Sequence, residues 1–279
     1  MANARGKEID GTHLSVEQAN ARGFLHRDYI AHCLRWTKIC KDMNKGAAYR
    51  TSDIIDVGCG KDMPLARTLM TSRMAPRSYT GIEWNKMDVP SMFDNTSFKP
   101  KLIQDVDFTE LEFEDESFNV GVCLEVLEHV EPLKAIAIID KMAEVVGPSG
   151  VCYFSTPCYD EKVGHADNHV NEMTYEAVGS LLEARGYHIV EHYGTFASMK
   201  DYKPHMDEAT KVMFDSLREY YDTNYLATIF APLYPEHSRN VIWKCIPQSI
   251  GPTVTRFPEM KNYTHRLGSS EKWEDLLSV

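Results

Sequence analysis

Residues 53–62, which read DIIDVGCGKD, decide the fold that this sequence predicts. A short β-branched strand runs directly into two glycines, Gly58 and Gly60, that flank a single residue. In an open α/β sheet, small ligands bind beyond the carboxyl end of the first strand, where glycines let the backbone approach them and the next helix points its N-terminal amides toward them. Glycine also serves tight turns that need only a positive φ. The pattern therefore predicts a cofactor site in combination with its surroundings, not alone.

The residues around the two glycines favour a cofactor that contains adenosine. Asp56 precedes the glycines by two residues, and a second strand over residues 78–82 ends in Glu83. A carboxylate at that strand end can accept hydrogen bonds from both ribose hydroxyls. A nicotinamide dinucleotide is the competing ligand, but its fingerprint places a third glycine where this chain has Met63.

The combined pattern resembles motif I of the class I S-adenosylmethionine (SAM) methyltransferases, and the resemblance covers about residues 50–190. Glu83 corresponds to the ribose acid of that family. The final glycine of the fuller motif is missing and Asp62 stands near its place, so we expect a different loop around the methionine moiety. The resemblance implies that Asp105 receives the adenine amino group and that the amide of Val106 reads the ring, although an acidic residue at a strand end also serves as a turn or N-cap. The implied SAM-binding residues are Asp56, Gly58, Cys59, Gly60, Glu83, Trp84, Asp105, Val106 and Leu124.

Composition and charge limit the functional classes. The 279 residues, 43% of them hydrophobic, can bury one substantial core. The N-terminus lacks the apolar stretch of a signal peptide and no run is long enough to span a bilayer, so we expect a cytoplasmic protein without membrane contact. Seven scattered cysteines without a C-x-x-C indicate neither a disulfide framework nor a zinc ribbon. The net charge of −11 disfavours broad binding to nucleic acids or anionic membranes.

Alternating strands and helices predict an α/β fold, doubly wound around a mostly parallel, seven-stranded sheet that is covered on both faces. We expect Pro157, with Thr156, to break the fifth strand, and Thr174 to cap the helix that follows. The predicted strands span residues 53–57, 78–83, 101–104, 119–124 and 151–155, with a sixth from residue 187 and a last one over 240–245. The predicted helices span residues 16–43, 64–71, 133–146, 174–185 and 207–221.

The domain organisation follows from the lengths of the connections. We expect an N-terminal helical cap over residues 1–50, a methyltransferase domain over residues 51–246 and a C-terminal tail over residues 247–279. The connection before the last strand is far longer than the usual ~2–6 residues. Its aromatic-rich insertion, at about residues 196–236, is expected to form a cap on the substrate side.

A second constellation follows the fourth strand, where residues 125–130 read EVLEHV. Glu125, Glu128 and His129 stand at positions i, i+3 and i+4, which on a helical turn projects all three side chains from one face. They lie at the carboxyl end of the strand, beside the predicted cofactor. The alternative is that Glu128 and His129 only cap a helix or brace the loop.

Downstream residues favour a metal site. Residues 155–157 read STP, and a polar loop then brings His165 and the sequence HVNEMT at residues 169–174. This combination resembles the metal-dependent small-RNA 3′-terminal ribose 2′-O-methyltransferases, and the E-x-x-E-H part also occurs in the ubiquinone-biosynthesis O-methyltransferases that act on catechols. The resemblance implies a divalent metal, Mn²⁺ or Mg²⁺, while Fe²⁺, Co²⁺ and Zn²⁺ are further options for a histidine-containing site. The implied ligands are Glu125, Glu128, His129 and His169, with His165 as the reserve.

These residues predict metal-assisted O-methylation of a vicinal hydroxyl on a small molecule or nucleotide. A metal that holds two adjacent hydroxyls lowers the pKa of the acceptor and aligns its oxygen. The catalytic histidines would be His129, His165 and His169, of which one that is not a ligand takes the proton. The alternatives are methylation of RNA or DNA at a strand end, a metal-free methyltransferase, and a SAM-binding scaffold without turnover. The sequence does not indicate an oligomeric state.

Overall fold

The structure, a computed structural model, describes residues 27–160, 168–197 and 199–248. Seven strands form one sheet in the order β3-β2-β1-β4-β5-β7-β6, with flanking helices, which confirms the predicted doubly wound, mostly parallel fold. The strands are β1 (Asp53–Val57), β2 (Ser78–Glu83), β3 (Lys101–Gln104), β4 (Val120–Leu124), β5 (Val151–Pro157), β6 (Tyr187–Phe196) and β7 (Asn240–Pro247).

The helices Pro64–Thr71, Pro132–Val146 and Tyr175–Ala184 agree with the sequence prediction to within one residue at each end, whereas Met199–Tyr202 and Thr223–Phe230 were not predicted. Within the described residues, no helix has both the length and the apolar composition that crossing a lipid bilayer requires. The first helix was expected over residues 16–43, of which residues 16–26 lie outside the described part of the chain. The helices are α1 (Arg27–Asn44), α2 (Pro64–Thr71), α3 (Pro132–Val146), α4 (Tyr175–Ala184), α5 (Met199–Tyr202), α6 (Glu208–Leu217) and α7 (Thr223–Phe230).

Strand β1 lies inside the sheet, and the strand order reverses between β1 and β4. It pairs in parallel with β2 on one side and with β4 on the other, and Asp56 lies opposite both Gly81 and Val122. Ligands of open α/β sheets bind outside the carboxyl ends of the strands at such a reversal point. The fold therefore brings the ends of β1, β2 and β4 to one edge, where the predicted residues lie.

The prediction that Thr156 and Pro157 break the fifth strand was wrong, because β5 continues to Pro157. Its pairing with β4 ends at Ser155, so the missing N–H of the proline removes no hydrogen bond from that ladder. Beyond the strand, Cys158 forms a parallel bridge with Met173. The chain entering α4 is thereby held beside the end of β5.

The described residues divide into two compact units, one drawn from residues 27–35 and 193–241 and one from residues 36–192 and 242–248. In the described part of the first unit, α6 is shorter than expected, and Asp207 caps it by accepting a hydrogen bond from the Thr210 amide at 2.7 Å. Its core combines aromatic and aliphatic residues of the insertion, with the rings of Phe214 and Phe230 5.3 Å apart. The domain boundaries expected at residues 50 and 246 stay a prediction.

In the second unit, the end of α1 is fastened by a buried carboxylate. The side chain of Asp42 is 4% exposed and accepts hydrogen bonds from Lys38 at 3.1 Å, Lys45 at 3.0 Å and Lys244 at 2.8 Å. The hydroxyl of Tyr153, on β5, donates to the same carboxylate at 3.2 Å. Burial raises the pKa of Asp42, but the hydrogen bonds from the three ammonium groups outweigh burial and hold the pKa below its usual range. The carboxylate thus joins α1 to two strands.

Replacing Asp42 by asparagine should lower the free energy of unfolding at pH 7 by about 2–3 kcal/mol, since charge-assisted hydrogen bonds are lost while two lysines stay half-buried. Because the folded-state pKa is depressed, this contribution is complete above the unfolded pKa of about 3.9 and disappears as the pH falls toward the folded value. Urea titrations should show the difference from the wild type narrowing below pH 4. Asp115→Asn, on an exposed turn, is the control. If the difference in unfolding free energy between the wild type and Asp42→Asn did not depend on pH, the stabilising role of the Asp42 carboxylate would be contradicted.

Candidate functional site

A cavity of about 760 Å³ lies at the carboxyl ends of β1, β2 and β4. Its walls include five of the predicted SAM-binding residues, namely Gly58, Gly60, Glu83, Trp84 and Val106. Two members of the second constellation, Glu125 and His129, also border it. The structure therefore brings the two predicted regions to the same edge of the sheet.

The turn after β1 has the conformation that requires glycine. Gly58 and Gly60 have φ values of +70° and +71°. A Cβ atom on Gly58 would lie 2.3 Å from Cγ2 of Val126, whereas one on Gly60 would meet only Cδ of Pro64, at 3.9 Å. Gly58 thus allows close packing against the segment after β4, and Gly60 leaves open space beside the cavity.

Glu83 links the ends of β1 and β2. Its Oε2 accepts a hydrogen bond from the amide of Gly60 at 3.0 Å, and its Oε1 accepts one from the amide of Asn85 at 3.1 Å. The side-chain amide of Asn85 also donates to Oε1, at 3.2 Å, so that Oε2 is the oxygen that can accept a second hydrogen bond. Glu83 also lines the cavity, and its carboxylate is therefore held in place beside a ligand with acceptor capacity on Oε2.

Asp56 lies beneath this turn and does not line the cavity. It is 4% exposed and accepts a hydrogen bond from the hydroxyl of Tyr79. Burial, together with the nearby charge of Glu83, raises the pKa of Asp56 to about 7, while the bond from Tyr79 opposes the shift. The structure thus places this predicted residue in the interior, where it is hydrogen bonded to Tyr79 of β2.

The remaining predicted SAM-binding residues lie around the cavity without lining it. Cys59 is buried against β2, since a Cβ on Gly81 would approach its Sγ to 2.8 Å. Asp105 is exposed with a positive φ of 57°, and Leu124 is partly buried at the end of β4. Whether any of these side chains contacts a cofactor stays a prediction.

One wall of the cavity was missed by the sequence reasoning. Asp107 caps a short 3₁₀ helix by accepting from the Thr109 amide at 2.9 Å and forms an ion pair with Lys134. Lys134, from α3, also donates to the Thr109 hydroxyl at 2.8 Å. Burial raises the pKa of Asp107, but the bonds from Lys134 and Thr109 outweigh it and leave the pKa lowered. The aspartate-x-threonine spacing is a capping signal that could have located Asp107.

The prediction that Glu125, Glu128 and His129 share one helical face was wrong. Only Leu127–His129 forms a 3₁₀ turn, and Glu125 precedes it in a left-handed conformation with a φ of 57°. The carboxylate of Glu125 accepts a hydrogen bond from the Ser155 hydroxyl at 2.6 Å, and its amide donates to the Ser155 carbonyl at 2.9 Å. Pairing with β5 therefore decides where Glu125 lies.

Three of the four predicted metal ligands nevertheless come together. One donor atom each from Glu128, His129 and His169 lies within 4.8 Å of the others, and no other described residues form such a group. The two imidazole rings meet edge to face with their centroids 4.8 Å apart, and Glu128 is 1% exposed. Glu125 is not in the group, and the reserve ligand His165 lies outside the described residues.

Backbone hydrogen bonds fasten the loop that carries His169 to the segment that carries Glu128. The carbonyl of Glu128 accepts from the amides of Val170 at 2.8 Å and Asn171 at 3.0 Å. The side-chain amide of Asn171, which is fully buried, donates to the Leu127 carbonyl at 3.1 Å. The approach of the three donor side chains is thus fixed by the backbone.

This arrangement has counterparts among known proteins. A family model described as a methyltransferase domain matches residues 31–192, more than half of the chain. No curated protein matches the chain.

Two solved structures have a similar fold. One is magnesium protoporphyrin IX methyltransferase from Synechocystis PCC 6803 with bound SAH, at 12% identity and a TM-score of 0.52, covering 88% of this chain and 94% of that chain. The other is a SAM-dependent methyltransferase from Clostridium acetobutylicum ATCC 824, at 9% identity and a TM-score of 0.52, covering 89% of this chain and 100% of that chain. At these identities the similarity is one of fold.

Asp56→Asn should remove a pH dependence of stability. A carboxyl whose pKa is raised on folding stabilises the protein below its unfolded pKa, and this contribution is lost as the pH rises through about 7. Between pH 6 and pH 8, the wild type should therefore lose about 1 kcal/mol more unfolding free energy than the variant. Denaturant titrations at both pH values measure the difference, with Asp62→Asn on the same loop as control. Equal losses of unfolding free energy in the wild type and in Asp56→Asn would show that the pKa of Asp56 is not raised on folding.

Proposed function

Because the chain belongs to the methyltransferase domain family and has the class I fold of a SAM-dependent methyltransferase, we propose that it catalyses metal-assisted O-methylation of a vicinal hydroxyl on a small molecule or nucleotide. In this proposal the cavity beside Gly60 holds SAM, and the group of Glu128, His129 and His169 holds a divalent metal. The observation that carries the proposal is the convergence of these three donors within 4.8 Å at the sheet edge that also forms the cavity.

The cavity residues suit an adenosyl ligand. Gly60 offers open space, and Glu83 presents a carboxylate oxygen, Oε2, that can accept from a ribose hydroxyl. Trp84, which is 67% exposed, and Val106 offer apolar surface to an adenine ring. SAM itself supplies an activated methyl group on a sulfonium sulfur.

The donor group suits a transition metal better than Mg²⁺. Two imidazole nitrogens and one carboxylate favour Mn²⁺, Fe²⁺, Co²⁺ or Zn²⁺, whereas Mg²⁺ prefers oxygen donors and retained waters. Three protein ligands leave coordination positions for a diol. A bound ion would lower the pKa of an acceptor hydroxyl and hold it in position.

Glu125 has a separate role in this proposal. Its carboxylate borders the cavity and is held by the Ser155 hydroxyl, outside the group of three donors. There it can accept a hydrogen bond from the second hydroxyl of the acceptor and orient it. The sequence-predicted fourth ligand thus becomes a residue that positions the substrate.

The acceptor is proposed to be small. The chain carries a net charge of −11, which opposes the phosphate contacts that hold an RNA or DNA strand. A cytoplasmic location is part of the proposal, and it is supported by the seven cysteines, all of which are free thiols in the structure.

Glu83→Gln should weaken SAM binding by at least about tenfold, since an amide cannot replace both acceptor oxygens and each charge-assisted hydrogen bond is worth about 1.5–3 kcal/mol. Isothermal titration calorimetry with SAM and with its demethylated product measures the change. Asp88→Asn, an exposed acid on the same connection, should leave binding unchanged. Equal affinities for Glu83→Gln and wild type would remove Glu83 from the cofactor site.

The metal role is tested with Glu128→Gln and His169→Ala. A cell extract supplied with the enzyme, SAM and Mn²⁺ should contain a molecule that gains a methyl group, detected by mass spectrometry. Chelation and either substitution should each reduce that activity at least about tenfold, while SAM binding is retained. Glu176→Gln, an exposed acid on α4, is the control. Full activity after chelation and in both variants would establish a metal-free methyltransferase instead.

A further inference from the structure

We propose that Glu172 is the positioning residue for His169, and that it fixes the imidazole tautomer whose Nε2 can bind a metal or accept a proton. Glu172 is buried, with 4% of its surface exposed, and its Oε1 is hydrogen bonded to Nδ1 of His169. It is not a member of the donor group formed by Glu128, His129 and His169. The proposal rests on the proposed function for its consequence in catalysis, but its physical content can be measured on the protein alone.

The tautomer follows from the partner. An ionised carboxylate accepts hydrogen bonds and does not donate them, so Nδ1 of His169 must carry the proton. The lone pair of the neutral ring then lies on Nε2. A buried, charged acceptor at Nδ1 also holds the ring plane and increases the electron-donating strength of Nε2, as carboxylate partners of metal-binding histidines do.

The second histidine of the group has the same arrangement with a different acceptor. Nδ1 of His129 lies 3.1 Å from the carbonyl oxygen of Asn168, which can only accept. The side-chain amide of Asn168 approaches the same nitrogen at 3.5 Å, a distance at which a hydrogen bond is weak, so the carbonyl decides the tautomer. Both imidazoles therefore carry their lone pairs on Nε2.

The two acceptors differ in how easily they could be replaced. The acceptor for His129 is a backbone carbonyl, which any residue at position 168 supplies. The acceptor for His169 is a side chain, so the tautomer of His169 depends on the identity of residue 172. Because the backbone amides of Val170 and Asn171 are bound to the Glu128 carbonyl, we expect the loop to keep its place when the side chain of residue 172 is changed.

A backbone hydrogen bond also holds the C-terminal end of the loop that carries His169 and Glu172. The carbonyl of Met173 accepts a hydrogen bond from the amide of Tyr159 at 2.8 Å, next to the bridge between Cys158 and Met173. Glu172 thus lies between two fixed points. Its buried carboxylate is hydrogen bonded to His169 from that position.

Glu172→Leu tests the proposal, since leucine fills a buried site of similar size without offering an acceptor. In nitrogen-15 NMR spectra of the metal-free protein, the wild type should show His129 and His169 with protonated Nδ1. In the variant, His169 should shift toward the tautomer with protonated Nε2 while His129 stays unchanged as an internal reference. Calorimetry with Mn²⁺ or Co²⁺ should show about 10- to 100-fold weaker binding.

A control variant on the surface and a second variant at position 172 complete the test. Glu176→Leu makes the same change on the exposed surface of α4 and should leave the spectra and the metal affinity as in the wild type. Glu172→Gln serves if the leucine variant does not fold, because a neutral amide should bind His169 less strongly and still weaken metal binding. An unchanged His169 tautomer in Glu172→Leu overturns the proposal, and so does an unchanged metal affinity in Glu172→Gln when the wild type binds the metal.

Failure of the metal assignment would be recognisable separately. If the wild type binds neither Mn²⁺ nor Co²⁺ while the tautomer of His169 still depends on Glu172, the positioning role stands and the metal role does not. If the wild type binds metal and Glu172→Leu changes neither tautomer nor affinity, the metal role stands and the positioning role is excluded.

Discussion

The hydrogen bonds between the turn after β1 and the end of β2 determine the geometry of everything at this edge of the sheet. The amides of Gly58 and Cys59 both donate to the carbonyl of Ile82, at 2.9 and 3.1 Å, and the amide of Gly60 donates to Glu83. Since the registers of β1, β2 and β4 are fixed by parallel pairing, the turn cannot move independently of the sheet. The cavity is therefore a property of the strand ends, and its shape does not depend on the loops alone.

Much of this arrangement could be predicted from the sequence because its signals are local. The bounds of β1, β2, β3 and α2 agree with the expectation residue for residue, since each combines a short apolar run with a clear boundary such as Gly58 or Pro64. The same reasoning placed Glu83 in the cavity wall and brought Glu128, His129 and His169 together. In each case the parallel sheet carries distant segments to a common edge, so the order of strands is enough to place them.

What the sequence could not supply depends on contacts between distant segments. Glu125 leaves the helical pattern because its backbone pairs with Ser155, thirty residues later, and its left-handed conformation has no local signal. The ion pair between Asp107 and Lys134 joins two elements whose relative position follows only from packing. The exposure of Asp105 and the burial of Asp56 could not be predicted for the same reason. An acidic residue at the end of a strand has the same sequence pattern whether its side chain is exposed or buried.

The electrostatics of the donor region give a physical reason for a cation there. Glu128 and Glu172 are both buried, and Glu125 lies close enough that burial and the charges of Glu128 and Glu125 raise the pKa of the Cys123 thiol. Buried carboxylates are costly unless opposite charge or strong hydrogen bonds compensate them. Part of that compensation comes from the protein, because the Ser155 hydroxyl donates to Glu125 and Nδ1 of His169 is hydrogen bonded to Glu172. In the proposed function, a divalent ion would add positive charge at the point where one donor atom each of Glu128, His129 and His169 converges. Burial of these acids is thus the electrostatic feature that favours the proposed ion, since a nearby cation lowers the cost of a buried carboxylate.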